Sequence, residues 1–405
     1  MNAETGNYRP PAVIAGAFQT GVLGVRSLVR HGIKAICFDC NPTMHGFRSR
    51  YGPARLCPNP DDLPDEWLDF MLALSDEIGE KAVLIPSSDR YVTAIANHRE
   101  VLREQYIFSP GVDLQGLLAH KQTQYRMAEE HGMPMPLTRM INSVEELHDF
   151  SQAAHFPCLV KPWHFREWEK FSKDHPLYCQ KVSVAENEEA LLKNYQLASE
   201  INTNVVLQEI IQGPDTSKRV YLSCYDKQSK RIANAMFQEL RCVPFGFGPA
   251  SVTVPIVDEE ADEVCDNFLK SIGYKGICEI EVKRDSRDGK VKLIEANPRL
   301  SGGGDAAPYA GVDLCWIHYQ ELTGVEVAPV KPSGKYFKHI VLRAEGTAIP
   351  EYIREGLLTW REVFKTYKPP VAFFDLDRKD LKMSMETILV TFKTLLTNLF
   401  FKRKM

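Results

Sequence analysis

Short apolar runs alternate with helical patterns along residues 12–110. AVIAGA, KAICFD and KAVLIPSS are runs of the length and composition of buried strands, and the last ends in turn residues. The segments VLGVRSLVRHG and DRYVTAIANHREVL carry apolar residues at helical spacing. Strands that alternate with helices favour a parallel sheet, so residues 1–112 are predicted to form an α/β domain.

The pattern changes after residue 112. LQGLLAHKQTQYRMAEEHG predicts one helix that stops at Gly132, and HFPCLVKP and VVLQEII predict strands on either side of the helical segment ENEEALLKNYQLASE. GICEIEVKRD and KVKLIEANP predict two strands, and the turn residues SRDG between them indicate an antiparallel hairpin. The predicted divisions are 1–112, 113–328 (subdomains 113–207 and 208–328) and a C-terminal extension, 329–405.

The net charge, the cysteine count and the length of the apolar stretches argue against several classes of protein. A net charge of −4 argues against a general nucleic-acid binder. The ten cysteines include no CxxC pair, so they are interpreted as reduced thiols of a cytoplasmic protein without a zinc site. The sequence shows neither a signal-peptide pattern at residue 1 nor an apolar stretch long enough to span a bilayer.

The predicted hairpin carries the residues with most chemical interest. Side chains alternate along a strand, so Glu295 and Asn297 share one face, and a turn near Asp288 would bring Glu281 roughly opposite Glu295. Facing carboxylates repel unless a cation joins them. An oxygen-only set of this kind suits a hard cation, Mg²⁺ before Ca²⁺, with Mn²⁺ also possible. Arg299 is a fork suited to phosphate. The other interpretation is a solvated hairpin face with incidental charge, which is favoured for Glu279 alone.

E-x-N-P-R at the end of a strand, preceded by an acidic strand, resembles the metal and phosphate site of the ATP-grasp superfamily. The resemblance covers about residues 110–325, and the preceding domain resembles the pre-ATP-grasp domain of the same proteins, which include carbamoyl phosphate synthetase. The segment PSSDRYVTAIANHREVL is similar to D-aspartate ligases. The resemblance implies an α/β (α+β) chain in which a parallel-sheet pre-ATP-grasp domain precedes a two-subdomain ATP-grasp fold.

The resemblance also implies roles for individual residues. ATP would be bound by Lys121, Lys161, Gln208, Glu209, Ile211 and, on its ribose, Asp215. The metal ligands would be Glu281, Glu295 and Asn297, with Arg299 as the catalytic residue on the phosphate. Candidates for substrate contact are Arg241, Ser301, Gly302 and Gly303. The family's glycine-rich phosphate flap is replaced by a glycine-free segment within 163–180, where His164, Arg166 and Lys173 could act as donors.

The implied reaction is ATP-dependent ligation of a small-molecule carboxylate to an amine through an acyl phosphate, with release of ADP and phosphate. Two alternatives are a phosphotransferase that stops at phosphorylation and a nucleotide-binding regulatory module. A homodimer is a further expectation.

The end of the chain predicts one more helix. Residues 383–405 place apolar residues at helical spacing and end in KRK. This basic amphipathic helix either lies on the inner face of a membrane or docks on its own domain or a second subunit.

Overall fold

The computed structural model describes residues 9–51, 54–163 and 167–400. Contacts divide the chain into two compact units. The large unit comprises Met1–Ala119, Pro214–Glu281 and Ala296–Met405, and the small unit comprises His120–Gly213 and Val282–Glu295. The predicted division into 1–112, 113–328 and 329–405 stays a prediction.

The large unit begins with the parallel sheet that the alternating pattern predicted. Its strand order is β3-β2-β1-β4-β5, and every pair is parallel. The strands are β1 (Ala12–Ala15), β2 (Ala35–Asp39), β3 (Ala54–Leu56), β4 (Ala82–Pro86) and β5 (Tyr106–Ile107). The helices are α1 (Gln19–Arg30), α2 (Pro64–Ile78), α3 (Asp89–Asn97), α4 (Arg99–Gln105) and α5 (Val112–Ala119). Ile14 and Val83 are fully or almost fully buried, as expected for a parallel sheet covered on both faces.

Two predicted helices are each divided in the structure. The pattern over 89–102 forms α3 and α4, which meet at His98. The pattern over 114–132, predicted as one helix, forms α5 and then α6 (Lys121–Glu130), because His120 is extended with φ −92° and ψ 119°. One extended residue interrupts the i→i−4 hydrogen bonds without changing the apolar spacing, so periodicity alone missed the break.

The small unit contains a four-stranded antiparallel sheet with the order β6-β9-β7-β8. Its strands are β6 (Thr138–Ile141), β7 (Cys158–Pro162), β8 (Ser183–Ala185) and β9 (Val205–Glu209), and its other helices are α7 (Val144–Ala153) and α8 (Glu188–Ser199). The side chains of Ser143 and Asn187 accept hydrogen bonds from the first turns of α7 and α8, which fixes where these helices begin. The predicted strands around Lys161 and Gln208 are therefore confirmed.

A seven-stranded sheet has the order β14-β13-β10-β11-β12-β15-β16. Its strands are β10 (Lys218–Tyr225), β11 (Arg231–Cys242), β12 (Ala250–Pro255), β13 (Gly276–Arg284), β14 (Val291–Asn297), β15 (Lys338–Ile340) and β16 (Val371–Phe373). The division between units passes through β13 and β14. The predicted turn between them is confirmed by the hydrogen bond from Asp285 N to Lys290 O (2.9 Å) and by the positive φ (72°) of Gly289.

The remaining helices follow the strands of the large unit. They are α9 (Glu259–Ser271), α10 (Ala306–Tyr309), α11 (Leu314–Leu322), α12 (Leu342–Arg354), α13 (Trp360–Thr366) and α14 (Leu381–Phe400). Short 3-10 turns lie at His45–Phe47, Glu167–Lys170, Asp215–Ser217 and Gly302–Asp305. The predicted C-terminal helix is thus confirmed as far as residue 400. Across the part of the chain that the structure describes, every helix is too short or too polar to cross a membrane.

His318 on α11 makes the stability of the large unit depend on pH. It is 3% exposed, and burial lowers its pKa to about 4. As the pH falls below about 6.5, the unfolded chain takes up a proton at this imidazole and the folded chain does not, so stability is lost. We expect roughly 2–3 kcal/mol of such loss between pH 6.5 and 4.5.

The measurement is urea unfolding at a series of pH values for the wild type and for His318→Gln, which should lack this part of the pH dependence. His131→Gln, at an exposed histidine, is the control. Identical pH slopes for wild type and His318→Gln would contradict the expectation.

Candidate active site

A buried carboxylate lies where β13 meets the loop after β14 in the large unit. Glu279 is 6% exposed. Its Oε1 accepts a hydrogen bond from Asn297 Nδ2 (3.2 Å), and its Oε2 accepts one from Ser301 Oγ (2.6 Å). We call Glu279, Asn297 and Ser301 the carboxylate cluster. It gathers two residues predicted for the site, Asn297 and Ser301, around a third that the sequence interpretation had set aside.

The glycines after Ser301 let the loop approach this carboxylate. A Cβ atom at Gly303 would lie 2.6 Å from Glu279 Oε2, so a side chain there would displace the carboxylate. Leu300 N donates to Pro86 O (3.1 Å), which fixes the loop beside the end of β4. The predicted close approach of the backbone is therefore made to Glu279, and substrate contact by Ser301, Gly302 and Gly303 stays a prediction.

Arg299 is oriented by a carboxylate at the start of α3 in the large unit. Its Nε and Nη2 donate to Asp89 Oδ1 (2.7 Å) and Oδ2 (3.0 Å), and Nη2 also donates to Asn297 Oδ1 (3.0 Å). Asp89 is the first residue of α3, where a negative charge is stabilised by the helix dipole. A two-point pair of this kind fixes the plane of the guanidinium, so Asp89 is a positioning residue for Arg299.

Asp89→Asn tests this positioning. Without the charge of Asp89, Arg299 should be held less firmly, and we expect kcat/KM for ADP release to fall about tenfold, the amount that corresponds to about 1.4 kcal/mol. Asp65→Asn is a matched control, because Asp65 is an exposed acid in the first turn of α2. Equal activity of the two variants would contradict the role given to Asp89.

Buried charges also lie along β10 and β11. Lys218 Nζ is 3.3 Å from Asp215 Oδ1 and 3.4 Å from Glu239 Oε2. Burial acts to lower the pKa of Lys218, but the neighbouring carboxylates outweigh it and raise that pKa. Burial raises the pKa of Glu239 to about 7 against the opposing effect of Lys218. Asp215 also accepts a hydrogen bond from Tyr352 Oη, so its carboxylate is engaged within the protein, and its ribose contact stays a prediction.

Arg241 lies in a buried ion pair. It is 4% exposed, and Glu345, its partner, is fully buried. Arg241 Nε and Nη2 lie 3.1 and 2.5 Å from the two carboxylate oxygens of Glu345, which also accepts a hydrogen bond from Ser251 Oγ (2.7 Å). This geometry favours a structural role, and the substrate contact predicted for Arg241 stays a prediction.

The small unit buries the lysine at the end of β7. Lys161 is 6% exposed, and its Nζ donates to Tyr125 Oη (3.1 Å) and to Gln208 Oε1 (2.5 Å). Gln208 Nε2 in turn donates to Thr138 Oγ1 (2.9 Å). Burial acts to raise the pKa of Tyr125, but the ammonium groups of Lys161 and Lys121 outweigh it and lower that pKa. The structure thus brings together Lys161 and Gln208, two residues predicted for ATP binding.

Three other predicted ATP-binding residues lie in the same unit, whereas Asp215 belongs to the large unit. Lys121 Nζ is 3.6 Å from Glu295 Oε1. Glu209 accepts hydrogen bonds from His155 N (2.8 Å) and from Arg287 Nη2 (3.1 Å), which holds the end of β9 in place and directs its carboxylate to protein groups. Ile211 is buried. Of the donors predicted in the glycine-free segment, Lys173 is exposed. His164 and Arg166 lie outside the described residues.

The donor chemistry of the carboxylate cluster fits a hard cation. Glu279 and Asn297 offer carboxylate and amide oxygens, which suit Mg²⁺. Within residues 9–51, 54–163 and 167–400, no group of three or more His, Cys, Asp or Glu side chains could hold a metal. A cation would therefore need water or phosphate oxygens to complete its shell, as Mg²⁺ commonly does. Glu281, Glu295 and Asn297 stay the predicted ligands, and Glu279 is added to them as a candidate.

The sequence contains only part of the signal for Glu279. It lies two residues before Glu281 and therefore shares its strand face. The sequence does not show that the loop after β14 folds back and places Ser301 and Gly303 against Glu279. Asp89 was also missed, although the predicted helix 89–102 begins with it.

The comparisons with known proteins show a similarity to ATP-grasp proteins over part of the chain. Residues 249–341 match the model of a family described as ATP-grasp in the biosynthetic pathway with Ter operon. The chain is 25% identical over 244 residues to the D-aspartate ligase of Enterococcus faecium (strain Aus0004). That match covers 58% of this chain and 58% of the ligase, so the chain spans less than two thirds of this relative.

Solved structures share the fold. The N5-carboxyaminoimidazole ribonucleotide synthetase of Thermus thermophilus superposes with a TM-score of 0.64 at 12% identity, over 95% of this chain and 98% of that one. The biotin carboxylase domain of the Hydrogenobacter thermophilus 2-oxoglutarate carboxylase, solved with MgADP and bicarbonate, gives 0.61 at 17% identity, over 80% and 72%. ATP-grasp enzymes in general use ATP and Mg²⁺.

Proposed function

We propose that this protein is an ATP-dependent ligase that joins a carboxylate to an amine through an acyl phosphate, with release of ADP and phosphate. The observation that carries the proposal is the carboxylate cluster beside Arg299, which Asp89 holds in a fixed plane. Cation-binding oxygens next to an oriented guanidinium are the groups that phosphoryl transfer requires. The similarity to a D-aspartate ligase supports the same class of reaction.

Nucleotide binding is assigned chiefly to residues of the small unit. Lys161 is buried with two neutral hydrogen-bond partners, Tyr125 and Gln208, so its positive charge is available to phosphate oxygens. Lys121 would add a second charge, and the backbone around Gln208, Glu209 and Ile211 would meet the adenine edge. Asp215 is retained as a candidate for the ribose.

The metal assigned to the site is Mg²⁺, with Mn²⁺ as the alternative. Bound by oxygens of Glu279, Asn297, Glu281 and Glu295 together with phosphate, it would neutralise charge on the transferring phosphoryl group. Arg299 would contact the same charge from the protein side. Ser301, Gly302 and Gly303 are proposed to face the carboxylate substrate.

The reaction then proceeds in two displacements. A carboxylate oxygen of the acid attacks the γ-phosphorus of ATP, and the bond from that phosphorus to the β,γ-bridging oxygen breaks to release ADP. The amine nitrogen attacks the carbonyl carbon of the acyl phosphate, and phosphate leaves with the bonding electrons while the nitrogen loses a proton. Positioning and charge neutralisation are what the protein supplies to both steps.

The test is ADP and phosphate release with Mg²⁺-ATP against amino acids, dipeptides and sugar acids, offered singly and in pairs. A ligase requires a pair, and its turnover should vanish in Glu295→Gln. Turnover with one compound and a phosphorylated product would replace the proposal with the phosphotransferase. Tight ATP binding without turnover across the panel would favour the regulatory module.

Three predictions accompany the ligase. They are a cytoplasmic location on the inner side of the membrane, a homodimer, and contact between residues 383–405 and a membrane. The structure bears on the last of these through the surface of α14.

A further inference from the structure

Helix α14 packs on the protein through a side made mostly of small polar residues, together with Met383. Met383, Ser384, Thr387 and Thr391 are at most 9% exposed. A Cβ atom at Gly346 of α12 would lie 2.8 Å from the backbone oxygen of Thr391, so the two helices approach as closely as a glycine allows. Asn398 Nδ2 donates to Gly346 O (3.4 Å) farther along the same contact.

The opposite side of α14 is apolar and exposed. We call this side the apolar face, and its residues recur at helical spacing with exposed fractions of 37–66%: Leu381, Met385, Ile388, Leu389, Phe392 and Leu396. A helix on a globular protein normally buries such a face and exposes its polar side. Here the arrangement is reversed, and an exposed contiguous apolar surface indicates a binding partner.

The charges around the apolar face select the kind of partner. Lys382 and Lys393 are exposed beside it. Glu386 is the one acid within Leu381–Phe400, and it pairs with Arg48 at 3.4 Å. The sequence then continues to Lys402, Arg403 and Lys404. The partner should therefore combine an apolar interior with a negative surface.

We propose that the apolar face of α14 is a docking surface for an anionic lipid bilayer, on which the helix lies in the plane of the interface. Apolar side chains enter the boundary between headgroups and acyl chains, and long lysine side chains reach anionic headgroups. A helix of 20 residues provides about 30 Å of contact along that plane. Within Leu381–Phe400 the single carboxylate, Glu386, is already paired with Arg48, so self-association through the same face would bring the lysines of two copies together, which disfavours a second copy as the occupant.

The experiment is co-sedimentation of the full chain with vesicles. Vesicles of phosphatidylcholine with roughly a quarter phosphatidylglycerol are compared with vesicles of phosphatidylcholine alone. The test variant is Leu389→Asp/Phe392→Asp, and the matched control is Val257→Asp/Leu357→Asp, which adds the same charge at exposed apolar residues elsewhere. We expect the wild type and the control to bind the anionic vesicles, and the test variant to bind at least about tenfold more weakly, since both substitutions place a charge where the bilayer would begin.

Three other results would overturn the proposal. The first is that the wild type stays in the supernatant with anionic vesicles, and the second is that the test variant still sediments with them. The third is that the wild type is a dimer by sedimentation equilibrium and the test variant a monomer, which would make a second copy the occupant. Thermal unfolding of each variant checks folding, and the result does not depend on whether the protein is a ligase.

Discussion

Replacing Glu279 with glutamine is expected to lower ADP release about 10³-fold, the scale on which loss of one transition-state electrostatic contact acts. Glutamine preserves the size of the side chain, and its oxygen can accept from Asn297 while its amide nitrogen donates to Ser301 Oγ, but it removes the negative charge. The variant should therefore fold normally and still bind ATP, while its response to Mg²⁺ is weakened. Titration of Mg²⁺ at fixed ATP, read as ADP release, measures the effect.

Two comparisons sharpen this result. Glu263→Gln, at an exposed position of α9, controls for loss of one carboxylate in the large unit. Glu281→Gln tests the glutamate favoured by the sequence prediction. Because Glu279 contacts Asn297 directly, we expect its variant to lose more activity than Glu281→Gln. Wild-type activity in Glu279→Gln would exclude its carboxylate from the metal and phosphate chemistry.

Replacing Arg241 with methionine is expected to destabilise the protein by about 3–5 kcal/mol, the usual effect of leaving one buried charge without its partner. Glu345 is fully buried, and methionine would leave its carboxylate with hydroxyl donors such as Ser251 and Tyr367. Urea unfolding of the wild type and Arg241→Met measures the difference in free energy.

The double variant Arg241→Met/Glu345→Gln distinguishes a structural role of Arg241 from a substrate contact. It removes the unpaired negative charge of Glu345, so most of the lost stability should return. If Arg241 has a structural role, the double variant also keeps its activity. If the double variant recovers its stability but loses activity, the predicted substrate contact of Arg241 is favoured instead. If Arg241→Met is as stable as the wild type, the stabilising role given to the ion pair is contradicted.

Strands β1, β2 and β4 of the parallel sheet could be predicted because each is a continuous apolar run, as burial on both faces requires. Strands β3 and β5 are too short to show such a pattern. β15 and β16 could not be predicted, because a strand of three residues, such as Lys338–Ile340, is too short to show a periodic pattern of apolar residues. The break at His120 was hidden for a related reason, since one extended residue leaves the apolar spacing on either side unchanged.

The candidate site was predictable only where chemistry follows the strand pattern. Asn297, Arg299 and Lys161 stand at strand ends and were identified from their immediate neighbours. Glu279 and Asp89 depend on partners far away in the sequence, Ser301 and Arg299, and no local pattern encodes those pairs. The periodicity of residues 383–405 predicted a helix, but it could not predict that the threonine side would be the buried one.

The measurement that tests the central claim most directly follows oxygen through the reaction. The acid substrate found in the paired assay is labelled with ¹⁸O in its carboxylate, and the phosphate released in the presence of the amine is analysed by mass. An acyl phosphate intermediate predicts that each released phosphate carries one oxygen from the acid, and that no phosphate appears without the amine. Unlabelled phosphate, or a phosphorylated acid released over many turnovers without the amine, would contradict the ligase.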